Sequence, residues 1–166
     1  MMLLQRRRFK PLESCCRKTK SIIMSLKATF SQRLIKVGDL NHHKTFFAGR
    51  CSEWFLESSY FAVAQYVDTE FTVCLKLHGM DFRFPIYAGD ILTYESKVVD
   101  AGRSTLTVYT KVYRSKNPEA IFCDGFVTFA YVDENTKSRA HGVVIVPETE
   151  DEKILNARAT ALRQMR

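Results

Sequence analysis

Glu53 and Glu57 stand four residues apart in a run otherwise rich in apolar and aromatic residues, Phe46-Phe-Ala-Gly-Arg-Cys-Ser-Glu-Trp-Phe-Leu-Glu57. On a helix that spacing puts both acids on one face, next to each other. Like charges so placed raise each other's pKa, and apolar surroundings raise it further. A carboxylate tuned in this way suits a general base or a nucleophile near neutral pH. The competing reading is structural: Glu53 reaches solvent near the helix start, and Glu57 pairs with a neighbouring cation. Solvent exposure is the preferred reading for Glu53. For Glu57 the spacing leaves both readings standing.

Ala48-Gly49 falls where that helix should begin. Free backbone N–H groups at a helix start can polarise a carbonyl or bind an anion, and glycine lets a substrate approach closely. An amide pair aimed at a thioester oxygen would act as an oxyanion hole. The alternative is that Gly49 only permits tight packing. The preceding loop, Gly38-Asp39-Leu-Asn41-His42-His43, is polar and turn-forming. Asn41 can orient a water or a carbonyl, and His43 can do acid–base work. Two adjacent histidines without a third ligand do not make a metal site. No GxSxG elbow, P-loop or dinucleotide fingerprint is present.

These groups need elements to hold them. Phe47, Cys51, Trp54, Phe55, Ala62, Val63 and Tyr66 recur at helical spacing, so a helix is expected over Phe47–Val67. Leu56, Tyr60, Phe61 and Ala64 lie off that stripe and are apolar too, which predicts a helix buried on nearly all sides, about 30 Å long. A first strand is expected over Ala28–Val37, and period-two alternation follows at Phe71–Leu77, Leu92–Val98 and Leu106–Val112. Ser115–Glu119, with Pro118, should break the chain before Ile121–Val132, which is apolar on both faces as for a strand covered twice. His141–Val146 reads as a short last strand, and Glu148–Arg166 as a surface helix. Alternating βαβ units are absent, so the expected class is α+β: an antiparallel sheet of five to six strands wrapped round one long central helix. The expected division is a basic, disordered extension over residues 1–26, the domain over 27–147 and a C-terminal surface helix over 148–166.

The 166 residues suit one domain, and the net charge of +7 is misleading. Residues 1–38 hold ten Lys/Arg and one acid, while the rest of the chain holds 15 basic and 17 acidic side chains. A nucleic-acid reading needs basic and aromatic residues on a folded face, so none is expected. No apolar run is long enough to cross a bilayer. Five cysteines without CxxC pairing or zinc spacing predict buried, reduced thiols and a cytoplasmic protein. The acid-poor N-terminus also has what a mitochondrial presequence over residues 1–23 requires. Disorder, or translation starting at Met24, is the preferred account.

Asp39-x-Asn41, Thr45-Phe-Phe-Ala48-Gly49 and the Trp/Phe-rich helix together resemble the signature of hotdog-fold acyl-CoA thioesterases. In order follow His78-Gly-Met-Asp-Phe82-x-x-Pro85 with Gly89-Asp90, similar to that family's step between strands; Ala101-Gly102-Arg103-Ser104-Thr105, similar to its hairpin; and Asp124-Gly-Phe126-Val-Thr-Phe129, similar to its last long strand. The resemblance covers roughly residues 28–146. It implies a hotdog fold, a site shared at a homodimer or higher homo-oligomer interface, and hydrolysis of an acyl-CoA to free acid and CoA in lipid metabolism. Glu57 would be base or nucleophile, the Gly49 amide would polarise the carbonyl and Asn41 would position water or substrate, with Glu53, His43 and Asp39 as further candidates. Ala48, Gly102, Arg103 and Ser104 would contact the substrate, Arg103 meeting CoA phosphate. No metal or cofactor is implied beyond the CoA of the substrate. The usual acid position of the family is Leu56 here, and Lys44 stands where a glycine is usual. A subgroup reading A-G-x-x-x-E-W-F-x-E fits this chain. The alternatives are a non-catalytic hotdog module that binds acyl-CoA or only assembles, and a hotdog dehydratase, whose G-H-F-P tetrapeptide is absent.

Overall fold

The computed structural model of the chain describes residues 22–24 and 26–164. In chain order these form strands β1 (Ile22–Met24) and β2 (Ala28–Leu34), helix α1 (Ala48–Val63), strands β3 (Thr72–Leu77), β4 (Ile91–Ala101), β5 (Thr105–Arg114), β6 (Asn117–Tyr131) and β7 (Val143–Ile145), and helix α2 (Glu150–Gln164). Five strands make one sheet in the order β2-β4-β5-β6-β3, antiparallel throughout. The sheet curls round α1, which is the hotdog architecture. Among the described residues no helix is long and apolar enough to cross a membrane.

The strand faces follow from the alternation. Leu92, Tyr94 and Val98 of β4 and Val108 and Val112 of β5 pack with Cys51, Phe55, Ala62 and Val63 of α1. Burying these side chains contributes about 1.5–3 kcal/mol each for the larger ones. Ser59 is fully buried in this seam, yet its hydroxyl is satisfied: it lies 2.8 Å from Thr110 Oγ1, which lies 2.8 Å from Ser96 Oγ. A β-bulge at Val99 breaks the alternation of β4. Val98 therefore faces α1, while Val99 joins Leu26, Phe126 and Ala159 in a second core beneath α2. Asn156 Nδ2 donates to Val99 O at 2.7 Å, Thr160 Oγ1 to Asp100 Oδ1 at 3.2 Å, and Arg163 Nε stands 3.2 Å from Asp100 Oδ2. These contacts fasten α2 to the outer face of the sheet.

Several expectations need correction. The break at Ser115–Glu119 shrinks to Ser115–Lys116, and β6 begins at Asn117. Pro118 and Glu119 are accommodated because that end of the β5–β6 pairing is irregular and exposed, so the N–H that proline lacks is not needed. The last strand does not join the main sheet: β7 pairs in parallel with β1 as a separate two-stranded sheet. Ile22–Met24 lies within the expected basic extension, whose residues 1–21 fall outside the described ones. The first strand ends at Leu34 and α1 at Val63, both short of their expected ends. Above all, α1 is not buried on all sides. Its buried residues are Cys51, Phe55, Ser58, Ser59, Ala62 and Val63, whereas Phe61 is 38 % exposed and Leu56 and Tyr60 are half-buried. A single sheet covers one flank of a helix, and among the described residues the apolar opposite flank stays open.

His141 ties the approach to β7 onto the β4–β5 hairpin. Its Nδ1 accepts from the Val143 N–H at 3.0 Å, which leaves Nε2 as the donor to Thr105 O at 3.3 Å. Burial holds its pKa below the ordinary 6.5, opposed by the bonds to Thr105 and Gly102. The unfolded ring therefore takes up a proton that the folded ring resists. This contribution to stability is present above 6.5 and is lost as the pH falls below it. His141→Asn, with a non-titrating acceptor in place of Nδ1, is expected to lose less stability than the parent between about pH 7.5 and about pH 5.5 in urea unfolding. Equal losses in the two proteins would contradict the assignment.

Candidate active site

The loop before α1 is closed by its own side chains. Asn41 Oδ1 accepts from the N–H groups of His43 at 2.9 Å and Thr45 at 3.2 Å, and Asn41 Nδ2 donates to Thr45 Oγ1 at 3.0 Å. Asp39 accepts from the Lys36 N–H at 2.9 Å and lies 3.6 Å from Arg50 Nε. Both residues thus build the loop, and Asn41 also faces the cleft described below. His43 sits at the exposed tip with its ring 3.9 Å from that of His42. Lys44 has φ 60, the left-handed conformation that glycine adopts without penalty.

Phe47 caps α1 without a side-chain hydrogen bond, so the first amides of the helix carry no side-chain cap. A Cβ on Gly49 would fall 2.6 Å from the Phe47 ring. The glycine lets that ring fold beneath the helix start. Beside it opens a cleft of about 370 Å³, lined by Asn41, Thr45, Phe46, Ala48, Phe82, Arg83, Phe84, Pro85, Ile86 and Phe122. Phe46, Phe82 and Phe84 gather on Phe122 with ring centroids 6.4, 5.6 and 5.7 Å from it. An apolar wall next to free helix amides suits a carbonyl compound with an apolar tail.

The two carboxylates follow the structural reading and not the like-charge one. Glu53 Oε2 lies 2.6 Å from Arg50 Nη1, and Glu57 Oε2 lies 2.5 Å from Arg33 Nη2 of β2. The guanidinium carbons stand 6.0 and 5.8 Å from the Trp54 ring centroid. Each acid has its own cation, which removes the repulsion the spacing implied. The Glu57 side chain is 44 % exposed and not buried, because it sits on the open flank of α1. It also stands eight residues beyond Gly49, about 12 Å along the helix axis. Within one chain it cannot meet a carbonyl held at its own helix start.

Of the candidates, Asn41 and Ala48 line the cleft, Gly49 follows Ala48 at the helix start, and the others lie apart from it. Gly102, Arg103 and Ser104 form the β4–β5 hairpin, at the opposite end of β4, roughly 35 Å away for a strand of that length. There Ser138 Oγ donates to Ser104 Oγ at 2.7 Å, and Arg103 lines a separate polar cleft of about 500 Å³ with Asp133 and Arg139. Among the described residues no group of three or more His, Cys, Asp or Glu is placed to hold a metal. Sequence reasoning missed the cleft walls Phe82, Arg83, Phe84 and Phe122, although the Phe82-x-x-Pro85 step was the signal for three of them. It also missed Arg33, which lies 24 residues from Glu57 with no motif to connect them.

A helix wrapped by a five-stranded antiparallel sheet, with a cleft at the helix start, defines the hotdog class. The model of the thioesterase superfamily matches residues 60–121. An uncharacterized acyl-CoA thioester hydrolase of Bacillus subtilis is 30% identical over 121 residues, which span 71% of this chain and 69% of that protein. Among solved structures, an apo-hexameric acyl-CoA thioesterase is similar at TM-score 0.73 and 27% identity, over 82% of this chain and 88% of its own. An acyl-CoA hydrolase from Bacillus cereus, at TM-score 0.75 and 24% identity over 84% and 85% of the two chains, shares the fold. This chain belongs to the acyl-CoA thioester hydrolase family of the thioesterase superfamily.

Lys44→Gly should relieve the left-handed backbone at the loop tip. The expected gain is about 1 kcal/mol, less a part offset by the freer unfolded chain, read as a higher urea midpoint at unchanged m-value. A lower midpoint would show that the Lys44 side chain holds the loop.

Proposed function

We propose that this chain hydrolyses acyl-CoA thioesters to free acid and CoA at a site completed by a second copy of itself. The observation that carries the reading is the uncapped start of α1 beside an aromatic cleft, in a chain of the thioester hydrolase family. The acyl group lies along the Phe46–Phe122 wall. The thioester oxygen accepts from the Gly49 amide, and Asn41 faces the bound substrate from the loop. Glu57 takes a proton from water, the water oxygen bonds to the thioester carbon, and the C–S bond breaks with its electron pair on sulfur. The departing thiolate recovers the proton. Direct attack by Glu57 would give an anhydride that water opens to the same products. Only water is consumed.

Two features support a second copy. The open flank of α1 offers Leu56, Tyr60 and Phe61, and β3 is a free sheet edge with Val73 39 % and Leu75 48 % exposed. A free apolar edge is a template for pairing. Copies joined through β3 with antiparallel α1 helices set the helix start of one beside the far half of the other. Glu57 of one copy then approaches the cleft of its partner, and the Gly102–Ser104 hairpin approaches the same mouth. There Arg103 meets a CoA phosphate.

An acyl-CoA panel from acetyl to palmitoyl, with detection of released thiol, tests the reaction. Glu57→Gln should lower kcat at least about a hundredfold with the fold intact. Absence of release at every chain length would leave a binding module as the reading. Val73→Lys combined with Leu75→Lys is expected to yield a monomer by sedimentation and to abolish turnover. A fully active monomer would rule out the shared site.

A further inference from the structure

Arg33 lies on β2, the strand at the edge of the sheet opposite β3. Its register partner is Leu92, which is wholly buried toward α1, while its neighbours Gln32 and Leu34 are exposed. The alternation of the strand thus turns Arg33 inward, as it does Ser31, and sets it against the open flank of the helix. There its Nη2 meets Glu57 Oε2 at 2.5 Å. The guanidinium also lies over Trp54, whose ring stacks on Phe46 of the cleft wall with centroids 5.4 Å apart. Next to this contact, the hydroxyls of Ser31 and Ser58 lie 2.6 Å apart and hold the strand to the helix.

The ion pair explains little of the stability. Its side chains are 33 % and 44 % exposed, and pairs so accessible to water are screened and contribute little. What the pair does supply is a direction. An unrestrained glutamate on a half-exposed helix flank samples several rotamers, whereas proton transfer or attack needs one. Among the described residues only Oε2 of Glu57 is engaged, so Oε1 stays available.

We propose that Arg33 is a positioning residue for the thioester hydrolysis. It fixes one carboxylate oxygen of Glu57 so that the other is aimed away from its own chain, at the thioester held by the second copy. The inference rests on Glu57 being the base or nucleophile. Arg33 touches neither substrate nor reacting atoms, and its effect must pass through Glu57.

The test is a two-by-two comparison of Arg33→Met and Glu57→Gln in the full-length protein, with Arg33→Lys as a third variant, each checked by urea unfolding. Arg33→Met is expected to lower kcat by about tenfold to a hundredfold while KM changes by less than about threefold. In the Glu57→Gln background the same substitution should leave the residual turnover unchanged. Arg33→Lys, a point charge without the fork, should recover part of kcat, and it carries the test if Arg33→Met does not fold. An equal loss in both backgrounds, a loss confined to KM, or a wild-type kcat in Arg33→Met or in Arg33→Lys together with its unfolding midpoint lowered would overturn the proposal. Full turnover by Glu57→Gln would remove the Glu57 reading and this one with it. Loss in Glu57→Gln with no loss in either Arg33 variant would remove this one alone.

Discussion

The hydroxyls of Ser59, Thr110 and Ser96 form a hydrogen-bonded chain through the centre of the domain, each link 2.8 Å long. Ser59 and its partners are fully buried, and Ser59 Oγ also donates to Phe55 O at 2.8 Å, so the chain is satisfied without water. Turning α1 by one residue, about 100°, would press Ser59 against apolar neighbours and leave the Thr110 hydroxyl with one partner fewer. The seam therefore sets the rotation of the helix. With that rotation given, Cys51, Phe55, Ala62 and Val63 face the sheet, and Glu53, Glu57 and Phe61 face away. The direction of the carboxylates follows from a contact on the opposite side of the helix.

The same rotation divides the molecule into a finished side and an open one. The outer face of the sheet is covered in part by α2, anchored on Asp100, Val99 and the small core round Ala159. Among the described residues the open flank of α1 receives no comparable cover. Its apolar residues Leu56, Tyr60 and Phe61 flank Glu57 along the helix, so whatever covers that flank also sets the surroundings of Glu57.

Much of the fold was legible in the sequence because it rests on local periodicity. The helix, the three middle strands and the twice-covered β6 all follow from spacing. The features that were not legible depend on distant partners. The parallel pairing of Ile22–Met24 with Val143–Ile145 joins three-residue segments far apart in the chain, too short to show a period. Pro118 reads as a breaker until the irregular end of β5 is seen beside it. The bulge at Val99 is invisible without α2, which buries it. At the site the division is similar. Asn41 and Ala48 lie close together in sequence and meet at the cleft, with Gly49 next along the helix start. The cleft walls come from the crossing after β3 and from β6, and the partner of Glu57 comes from β2.

Of the two readings of Glu53 and Glu57, the cation-paired one prevails over the like-charge one for an instructive reason. Spacing along a helix shows which side chains are neighbours but not what stands above them. Arg50, three residues before Glu53, joins that acid to the loop through Asp39, and Arg33 joins Glu57 to the sheet edge. Both guanidinium groups approach the ring of Trp54, which in turn lies on Phe46. One aromatic side chain thus touches the lining of the cleft and both cation–carboxylate pairs. A planar ring restricted in this way can shift only by moving all three, so the cleft wall and the carboxylate on the open flank share one support. Trp54, the single tryptophan of the chain, binds the geometry of the helix start to that of its middle.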